Sequence, residues 1–435
     1  MKKVIVIGAG ISGLSTAWWL HRKFPNWEFV ILDKSDRPGG LIYTDHQKDF
    51  ALDLGPKGFL TQGEGEYTLG LIRELGLQNL LIASDKTAKS RFIRYKGKTR
   101  KVSPWTLLKE GLPFAIVKDF FASRYTKDSS VYDFLRRHST KNLIKNVFNP
   151  VVTAVRAGHS HILSAHMAFP TLSQREAKTG SLLRSYIKDP SKKKQRNAPY
   201  LATLKPHLGI LIDTLVKKLP ATWRFSSPVT KIDCCDSEVT VTTEKEVFSG
   251  DLVIYTGPLP FLPQLINIPG MKHLADKTLL WDLACVTLGW EGKSLPIPKG
   301  YGMLFSDEPP LLGIVYNSQV FPEQLPGKTV LSLLLENRWY EEDAYAFALA
   351  AISEYLGIST KPDVFSLFSP EEGLPQHRVG FLDFKNQILP SIPHNLKIVG
   401  QNFSGPGLNR CVASAYQTVA SLCREETLAK GKCGC

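Results

Sequence analysis

A strand, a glycine-rich turn and a helix open the chain, and this order constrains its fold more than any other feature. The run from Val4 to Ile7 consists of β-branched residues, which suit a buried strand. Gly8, Gly10 and Gly13 follow in the spacing Gly-x-Gly-x-x-Gly, and apolar residues then recur at helical intervals. In this context a dinucleotide pyrophosphate lies against the N-terminus of the helix. The opening therefore predicts an α/β fold with a Rossmann-like domain.

Each glycine of this turn has a physical role in such a site. Gly8 permits a tight turn, Gly10 lets the backbone come close to a pyrophosphate, and Gly13 lets the helix pack against the strand. Lys2 and Lys3 before an apolar run could instead begin a signal peptide or a membrane span. The small-residue cleavage pattern and the run of about 20 apolar residues that these need are not found. We therefore interpret the opening as a binding site.

The residues after the helix indicate which dinucleotide is bound. A second strand, Phe29–Leu32, ends in Asp33, 20 residues after Gly13, where a carboxylate can accept hydrogen bonds from a ribose. A turn residue at the strand end is the alternative interpretation of Asp33. The stretch from Arg37 reads RPGGLIYT, which resembles the R-x-G-G-x-x-x-T continuation of FAD-binding oxidases related to glutathione reductase and the amine oxidases. FAD is therefore predicted rather than a nicotinamide.

Composition limits the partners. The 435 residues, 43% of them hydrophobic, are enough for two or three domains, and the net charge of +14 predicts an anionic partner. No nucleic-acid-binding module accompanies the basic clusters at 86–101 and from Ser191, so nucleic acid is disfavoured. Seven cysteines show no zinc-ligand spacing and suit a reducing cytoplasm, and no metal is predicted. Cys433 and Cys435 are interpreted as part of a solvated tail.

The order of strand and helix patterns predicts discontinuous domains. We assign residues 1–60, 205–258 and 395–425 to an FAD-binding domain, 61–90 and 259–394 to a mixed-sheet substrate-binding domain, 91–204 to a mainly helical insertion, and 426–435 to a tail. Within the insertion, the segment from Trp105 to Tyr125 places large apolar residues among lysines, with a break at Pro113. This pattern fits a helix on a membrane surface and core packing equally well.

Several ordered segments together resemble the oxygen-dependent, FAD-containing protoporphyrinogen oxidases of the flavin-containing amine oxidase superfamily. These segments include SRFIRYKGK from Ser90, PVVTAVRAGHSHILSAHMAFPTL from Pro150, LLGIVYNSQVFPEQ from Leu311 and GQNFSGPGLNRCV from Gly400. The resemblance covers nearly the whole chain. The third segment is the most diagnostic, because a general amine oxidase has no reason to carry it.

The resemblance implies the residues that contact flavin and substrate. The implied flavin contacts are Gly8, Ala9, Gly10, Ile11, Ser12, Gly13, Asp33, Lys34, Gly40, Leu41, Gly55, Pro56, Lys57, Gly58, Val229, Gln401, Pro406, Gly407 and Leu408. Arg91 matches a propionate-binding arginine, and Leu312 and Leu334 match aliphatic residues that line the macrocycle; plain core packing is the alternative for both leucines. No catalytic side chain is implied, since the flavin N5 carries the chemistry.

The chain also departs from the family pattern. The family more often has glutamate at Asp33 and arginine at Lys57, and it has glycine at Ala154 and at both Glu336 and Asn337. The shorter carboxylate at Asp33 weakens the ribose contact slightly. The other substitutions predict a cavity of different shape.

The implied activity is the oxidation of protoporphyrinogen IX to protoporphyrin IX in haem biosynthesis, in three two-electron steps with molecular oxygen as acceptor. Coproporphyrinogen III is the first alternative substrate, and the net charge, Lys57 and Arg156 support it. Lys57, however, lies in a predicted flavin turn, and the charge of a protein surface says little about the charge of its cavity. An amine oxidase or polyene desaturase and a non-enzymatic escort protein on the same fold remain open. The expected location is the cytoplasm. Contact with the inner face of the plasma membrane and the choice between monomer and homodimer stay open.

Overall fold

The computed structural model describes residues 1–95, 97–156, 158–188, 200–292, 295–306 and 309–432. The basic stretch from Ser191 and the pair Cys433 and Cys435 lie outside these ranges, so their interpretation stays a prediction. In chain order the strands are β1 (Lys3–Ile7), β2 (Glu28–Leu32), β3 (Thr44–Gln47), β4 (Phe50–Asp53), β5 (Phe59–Leu60), β6 (Leu81–Ala83), β7 (Arg91–Tyr95), β8 (Lys98–Lys101), β9 (Leu201–Leu204), β10 (Thr222–Arg224), β11 (Val229–Cys234), β12 (Val239–Thr243), β13 (Val247–Gly250), β14 (Leu252–Tyr255), β15 (Thr278–Trp281), β16 (Leu283–Glu291), β17 (Gly302–Phe305), β18 (Leu311–Val315), β19 (Lys328–Glu336), β20 (Val364–Phe368), β21 (Leu374–His377) and β22 (Leu396–Ile398).

Helices connect and cover these strands. In chain order the α-helices are α1 (Ile11–Lys23), α2 (Gly65–Glu74), α3 (Pro104–Lys109), α4 (Leu112–Phe120), α5 (Val131–His138), α6 (Lys141–Leu143), α7 (Asn149–Arg156), α8 (Ala165–Ala168), α9 (Pro170–Thr179), α10 (Leu182–Lys188), α11 (Ile210–Lys218), α12 (Leu262–Leu265), α13 (Met271–Asp276), α14 (Asn317–Val320), α15 (Glu341–Leu356), α16 (Phe381–Ile388), α17 (Gln401–Ser404) and α18 (Leu408–Lys432). A π-helical turn, Ile144–Phe148, joins α6 to α7.

A parallel sheet with the strand order β10-β2-β1-β14-β22 carries the opening turn of the chain. The β-branched residues of β1 are buried from Val4 to Ile7 and pair with β2 on one side and β14 on the other. Helix α1 packs on this sheet and is buried from Ile11 to Leu20. The strands come from three distant parts of the sequence. The predicted α/β fold, with a Rossmann-like sheet built from discontinuous segments, is confirmed.

A second sheet has the order β20-β16-β19-β18-β17-β7-β8 and is antiparallel except where β17 pairs with β7. Alternate side chains of its strands, among them Val286, Ile314 and Leu333, pack against helix α15 in one core. On the opposite face, Ile93 of β7 packs against Leu143 of α6, and α7 contacts β17 and β18. This sheet therefore has one face in a core and one face turned toward the helices of the insertion.

The helical insertion begins later than the sequence suggests. Residues 91–101, which we assigned to it, form the antiparallel hairpin β7–β8 at the edge of the second sheet. The hairpin itself is predicted by the alternation of its side chains, but its pairing with β17 depends on residues far away in the sequence. At the other end of the chain, α18 continues to Lys432, beyond the boundary at 425.

The amphipathic segment from Trp105 forms two helices with the break where Pro113 predicts it. Gly111, with φ +94°, separates α3 from α4, and Pro113 lies in the first turn of α4, where its missing N–H costs no hydrogen bond. No helix within the described ranges is long and apolar enough to cross a membrane.

A buried ionic cluster joins the helices of the insertion. The His138 Nδ1 lies 2.6 Å from an Asp119 carboxylate oxygen, and its Nε2 lies 3.0 Å from Glu176. Burial of Asp119 and Glu176 disfavours their ionised forms. Hydrogen bonds from Leu183 and Ser181 nevertheless hold the pKa of Asp119 below its usual range. Hydrogen bonds from His138 and Arg137 do the same for the pKa of Glu176. Because ionised carboxylates only accept hydrogen bonds, each ring nitrogen of His138 faces an acceptor.

We expect His138→Gln to lower the free energy of unfolding by about 3–5 kcal/mol, because it removes the ring between two buried carboxylates and leaves only Arg137, on Glu176, to neutralise them. Urea denaturation of the purified protein measures this loss. Arg136→Gln, at the exposed neighbouring position, is the matched control and should change stability by about 0.5 kcal/mol or less. Equal losses of stability in both variants would show that the cluster contributes no more to stability than an exposed side chain does.

Candidate cofactor and substrate site

The N-terminus of helix α1 is open to a ligand. Gly10 precedes the helix and no side chain of the described residues caps it, so the first backbone N–H groups lack partners within the helix. A Cβ built on Gly10 would meet no atom within 4 Å. Free space beside unpaired N–H groups, at the positive end of a helix dipole, fits a phosphate group.

The other glycines of the turn are required by packing. A Cβ on Gly13 would lie 2.0 Å from the Gly8 carbonyl oxygen, and a Cβ on Gly8 would lie 2.3 Å from the hydroxyl of Thr256. The adjacent glycines Gly39 and Gly40 lie against the same turn, since the Gly39 N–H donates to the Ala9 carbonyl oxygen at 2.9 Å. Only Gly10, of the three glycines in the motif, leaves room for something outside the protein.

Asp33 holds the glycine turn as well as facing the ribose position. One carboxylate oxygen accepts the Ala9 N–H at 2.7 Å and the other accepts the Ser35 N–H at 2.8 Å. Each oxygen can accept a second hydrogen bond, so ribose hydroxyls still have acceptors. The ammonium of the neighbouring Lys34 is bound to Glu372 at 2.8 Å, which directs it away from Asp33 toward solvent-exposed carboxylates.

The C-terminal glycine turn meets the first helix. A Cβ on Gly400 would lie 2.3 Å from Ser12 Oγ, so this glycine allows the two ends of the chain to touch. Gly407 has φ +126° and open space around it, and α18 begins at the next residue. On the opposite side, the Ser227 N–H donates to the Asp33 carbonyl oxygen two residues before Val229.

The flavin residues implied by the resemblance therefore follow the carboxyl ends of parallel strands, where ligands bind in open α/β sheets. Those that follow β1, β2, β10 and β22 are Gly8, Ala9, Gly10, Ile11, Ser12, Gly13, Asp33, Lys34, Val229, Gln401, Pro406, Gly407 and Leu408. Gly40 adjoins them, since a Cβ on it would lie 3.4 Å from the Gly10 Cα.

The turn from Gly55 to Gly58 connects this edge to the second sheet. A Cβ on Gly55 would lie 1.8 Å from the Leu41 carbonyl oxygen, so the turn packs directly on the segment after Gly40. The ammonium of Lys57 donates to the Asp53 carbonyl oxygen and lies 3.5 Å from the Cys285 thiol on β16. Cys285 is paired with Leu334 across β16 and β19. Lys57 thus reaches from the cofactor turn to the helix-facing side of the second sheet.

The three implied substrate residues belong to this second sheet. Leu334 is half-buried and stays out of the core that its neighbours Leu333 and Leu335 join, and Leu312 is half-buried in a bulge of β18. The guanidinium of Arg91 lies 5.2 Å above the Tyr301 ring, and no carboxylate of the described residues lies within ion-pair distance of it. Three strand spacings of about 4.8 Å, or about 14 Å, separate Arg91 from the strand of Leu334.

Sequence reasoning missed the residue that ties the cofactor edge to the helical insertion. Arg410, two residues into α18, donates to the carbonyl oxygens of Met167 at 3.0 Å and Ser404 at 2.9 Å. Near it, burial lowers the pKa of His377 to about 3, and the Nε2 of this neutral ring donates to the Asn402 carbonyl oxygen at 2.8 Å. An arginine three residues after Gly407 is the only local signal of this role.

The arrangement can hold a dinucleotide at the edge of the first sheet and a large apolar molecule with an anionic end on the second. Among the described residues, no group of three or more His, Cys, Asp or Glu side chains is positioned to hold a metal ion. Lys57 is the direct link between the two positions.

Comparisons with known proteins agree with this geometry. The model of the flavin containing amine oxidoreductase family matches residues 11–367. The protoporphyrinogen oxidase of Bos taurus is 27% identical over 96% of this chain and 98% of its own, and the coproporphyrinogen III oxidase of Bacillus subtilis is 24% identical over 96% and 97%. A structure from Exiguobacterium, provisionally named a protoporphyrinogen oxidase, superposes with a TM-score of 0.82 at 20% identity, covering 97% of this chain and 98% of that one. Cyclohexylamine oxidase from Brevibacterium oxydans superposes with a TM-score of 0.73 at 14% identity, covering 98% and 99%.

We expect Gly10→Val to empty the nucleotide site without unfolding the protein, because a Cβ at this position meets no protein atom within 4 Å and the side chain would occupy the space beside the helix N-terminus. The flavin absorbance of the purified variant measures the loss. Gly70→Val is the matched control, since a Cβ there is equally free but lies in helix α2, and it should keep its flavin. Full flavin in Gly10→Val would mean that the cofactor lies elsewhere.

Proposed function

The chain belongs to the family of flavin-containing amine oxidoreductases, and from this we propose that it is an FAD-dependent oxidase that converts a porphyrinogen into a porphyrin in haem biosynthesis. Protoporphyrinogen IX is the proposed substrate and molecular oxygen the proposed acceptor. The observation that carries the proposal is the link from the cofactor turn to the substrate face, because the Lys57 ammonium lies 3.5 Å from Cys285. The relatives' names and nearly full-length matches support it.

The described residues fit FAD. The space at Gly10 and the free N–H groups of α1 would hold the pyrophosphate, and the Asp33 carboxylate would hold the ribose. The turns at 55–58 and 406–408 would flank the ring system. When bound, FAD accepts a hydride from a substrate carbon at its N5 atom.

The substrate explains why the site needs packing more than a strong base. Loss of hydride from a saturated carbon between two pyrroles leaves a cation that the pyrroles delocalise, and a pyrrole N–H can then release its proton. The task of the protein is to hold a large apolar disc in one orientation. Leu312 and Leu334 would pack against the macrocycle, and the Arg91 guanidinium would bind a propionate at its rim.

Coproporphyrinogen III is the second candidate substrate. The relatives named for it, from Bacillus subtilis and Staphylococcus aureus, match nearly the whole chain at 24% and 22% identity, close to the 27% of the Bos taurus protein. The two macrocycles differ at their rims, since protoporphyrinogen IX has two propionates and coproporphyrinogen III has four. Overall sequence identity therefore does not distinguish the two substrates, and the residues around the rim of the macrocycle must decide between them.

The proposed function is tested by oxidising both porphyrinogens and a panel of amines with the flavin-loaded enzyme and recording porphyrin fluorescence and oxygen uptake. We expect turnover of porphyrinogens and none of amines, with a higher kcat/KM for protoporphyrinogen IX. A higher value for coproporphyrinogen III would reverse the choice of substrate. Turnover of amines alone would refute the proposal, and bound flavin without any turnover would favour an escort protein.

We expect Arg91→Ala to raise KM about 30-fold with a smaller effect on kcat, because a charge-assisted hydrogen bond to a propionate contributes about 2 kcal/mol. Steady-state kinetics measure the change. Arg94→Ala, on the other face of the same strand and paired with Glu354, is the matched control and should leave KM within about twofold. An unchanged KM in Arg91→Ala would contradict its assignment.

We further propose that the cytoplasmic enzyme touches an anionic membrane surface through its helical insertion. Helices α3, α4 and α10 expose large apolar side chains, with Trp105 exposed to 74%, Phe114 to 76%, Phe121 to 77% and Ile187 to 76%. The exposed basic residues around them are Lys101, Lys109, Lys118, Arg124 and Lys127. Apolar side chains beside cations fit the boundary between headgroups and acyl chains.

We expect the enzyme to sediment with vesicles that contain phosphatidylglycerol, and less so with phosphatidylcholine vesicles or at high salt. The double variant Phe114→Ser with Phe121→Ser should reduce sedimentation several-fold, because it removes two exposed apolar side chains that would insert between the lipids. Tyr340→Ser is the matched control, since Tyr340 is 84% exposed and lies before α15, outside the patch. Equal sedimentation of all three proteins would contradict the membrane contact.

A further inference from the structure

Arg156, the last residue of α7, is a cation that the described protein does not pair. Its Nε is buried and has no hydrogen-bond partner. Burial, and then the nearby charge of Arg410, lowers the pKa of its guanidinium to about 10. The electrostatic partner that favours its charge is Glu64, but that side chain is 53% exposed and lies 3.6 Å from Arg410. Two arginines thus share one partly hydrated carboxylate.

The stacking of Arg156 on an aromatic ring does not offset this burial. Its guanidinium carbon lies 5.0 Å from the centre of the Phe169 ring, and the attraction of a cation to an aromatic face is weaker than that of a cation to an anion. Withdrawing a cation from water costs several kcal/mol unless an anion accompanies it. The balance points to an anion outside the residues that the structure describes.

The backbone at Arg156 lies close to the end of the substrate face. Helix α7 contacts β17 and β18 and ends where the Arg156 carbonyl oxygen lies 3.5 Å from the Gln376 amide on β21. Three residues later, His159 lies 3.0 Å from Glu336, which is two residues beyond Leu334 on the same face of β19. The chain just after α7 therefore passes the end of β19, beyond Leu334.

Arg91 lies on the other side of Leu334. It belongs to β7, and the strands β17 and β18 separate it from β19. A macrocycle resting on Leu312 and Leu334 would have one cation at the rim near β7 and another at the rim near the end of α7. The two arginines do not compete for the same carboxylate.

We infer that Arg156 binds a second carboxylate of the substrate, at the rim of the macrocycle away from Arg91. This inference rests on the proposed oxidation of a porphyrinogen but not on the choice of protoporphyrinogen IX, and it favours the second candidate substrate, coproporphyrinogen III. A porphyrinogen with propionates on one edge only would satisfy Arg91 alone. A porphyrinogen with carboxylates on more than one edge would satisfy both, and a guanidinium can bind each in a bidentate manner.

The test compares Arg156→Met, which keeps an unbranched apolar stem and removes the charge, with the wild-type enzyme. Dissociation constants of the flavin-loaded proteins for coproporphyrin III and protoporphyrin IX come from absorbance titration, and kcat/KM for the two porphyrinogens comes from porphyrin fluorescence. We expect the loss of affinity for coproporphyrin III to be 10- to 100-fold, and at least tenfold greater than the loss for protoporphyrin IX. Arg156→Lys, which keeps a positive charge, should retain part of the affinity for coproporphyrin III that Arg156→Met loses.

Equal losses for both porphyrins, or none, would overturn the role of Arg156. Arg136→Met is the control for charge, since it removes an exposed arginine of the same insertion. If Arg156→Met does not fold, as judged by its flavin content and Tm, Arg156→Lys gives the same comparison, and an unchanged preference there would count against the inference. Failure of the wild-type enzyme to oxidise either porphyrinogen would refute the proposed function. The porphyrin titrations do not depend on turnover, so they would still show whether Arg156 binds a carboxylate.

Discussion

The contact between helix α1 and strand β1 is the constraint on which the rest of the site depends. The position that a Cβ of Gly13 would occupy is 2.0 Å from the Gly8 carbonyl oxygen, so any side chain there would push the helix away from the sheet. With the two elements in contact, the free N–H groups of the helix lie at the carboxyl edge of the parallel strands. Asp33, the Gly39 segment and the Gly400 turn all hydrogen-bond or pack against this one turn. The cofactor position is therefore built by contacts among four distant segments.

The two faces of the second sheet have different roles. Its inner face packs against α15 through large apolar side chains and makes the domain stable. Its other face carries Leu334, Cys285 and Arg91, and Lys57 reaches it from the cofactor turn. Because side chains alternate along each strand, the same residues that build the core determine which of their neighbours face the substrate.

Charge in the helical insertion is either neutralised within the protein or left for a ligand. His138 lies between Asp119 and Glu176, which use both of its ring nitrogens. Arg156 has no such partner, although it also lies in the insertion. The contrast is physical: the described residues place a carboxylate at each ring nitrogen of His138 and no acceptor at the Nε of Arg156, and a buried cation needs an anion.

Local pattern was sufficient for the opening turn, the hairpin at Arg91 and the helix break at Pro113, because each depends on residues close together in the sequence. The sequence by itself determined the α/β fold and the nucleotide edge, since the spacing of Gly8, Gly10 and Gly13 allows few other structures. It did not predict that the hairpin would extend the second sheet, that Arg410 would hold the C-terminal turn to Met167, or that Lys57 would reach Cys285. Only the tertiary structure decided these contacts, because each joins side chains or strand edges from distant segments, and long-range pairing leaves no periodic signal in either partner.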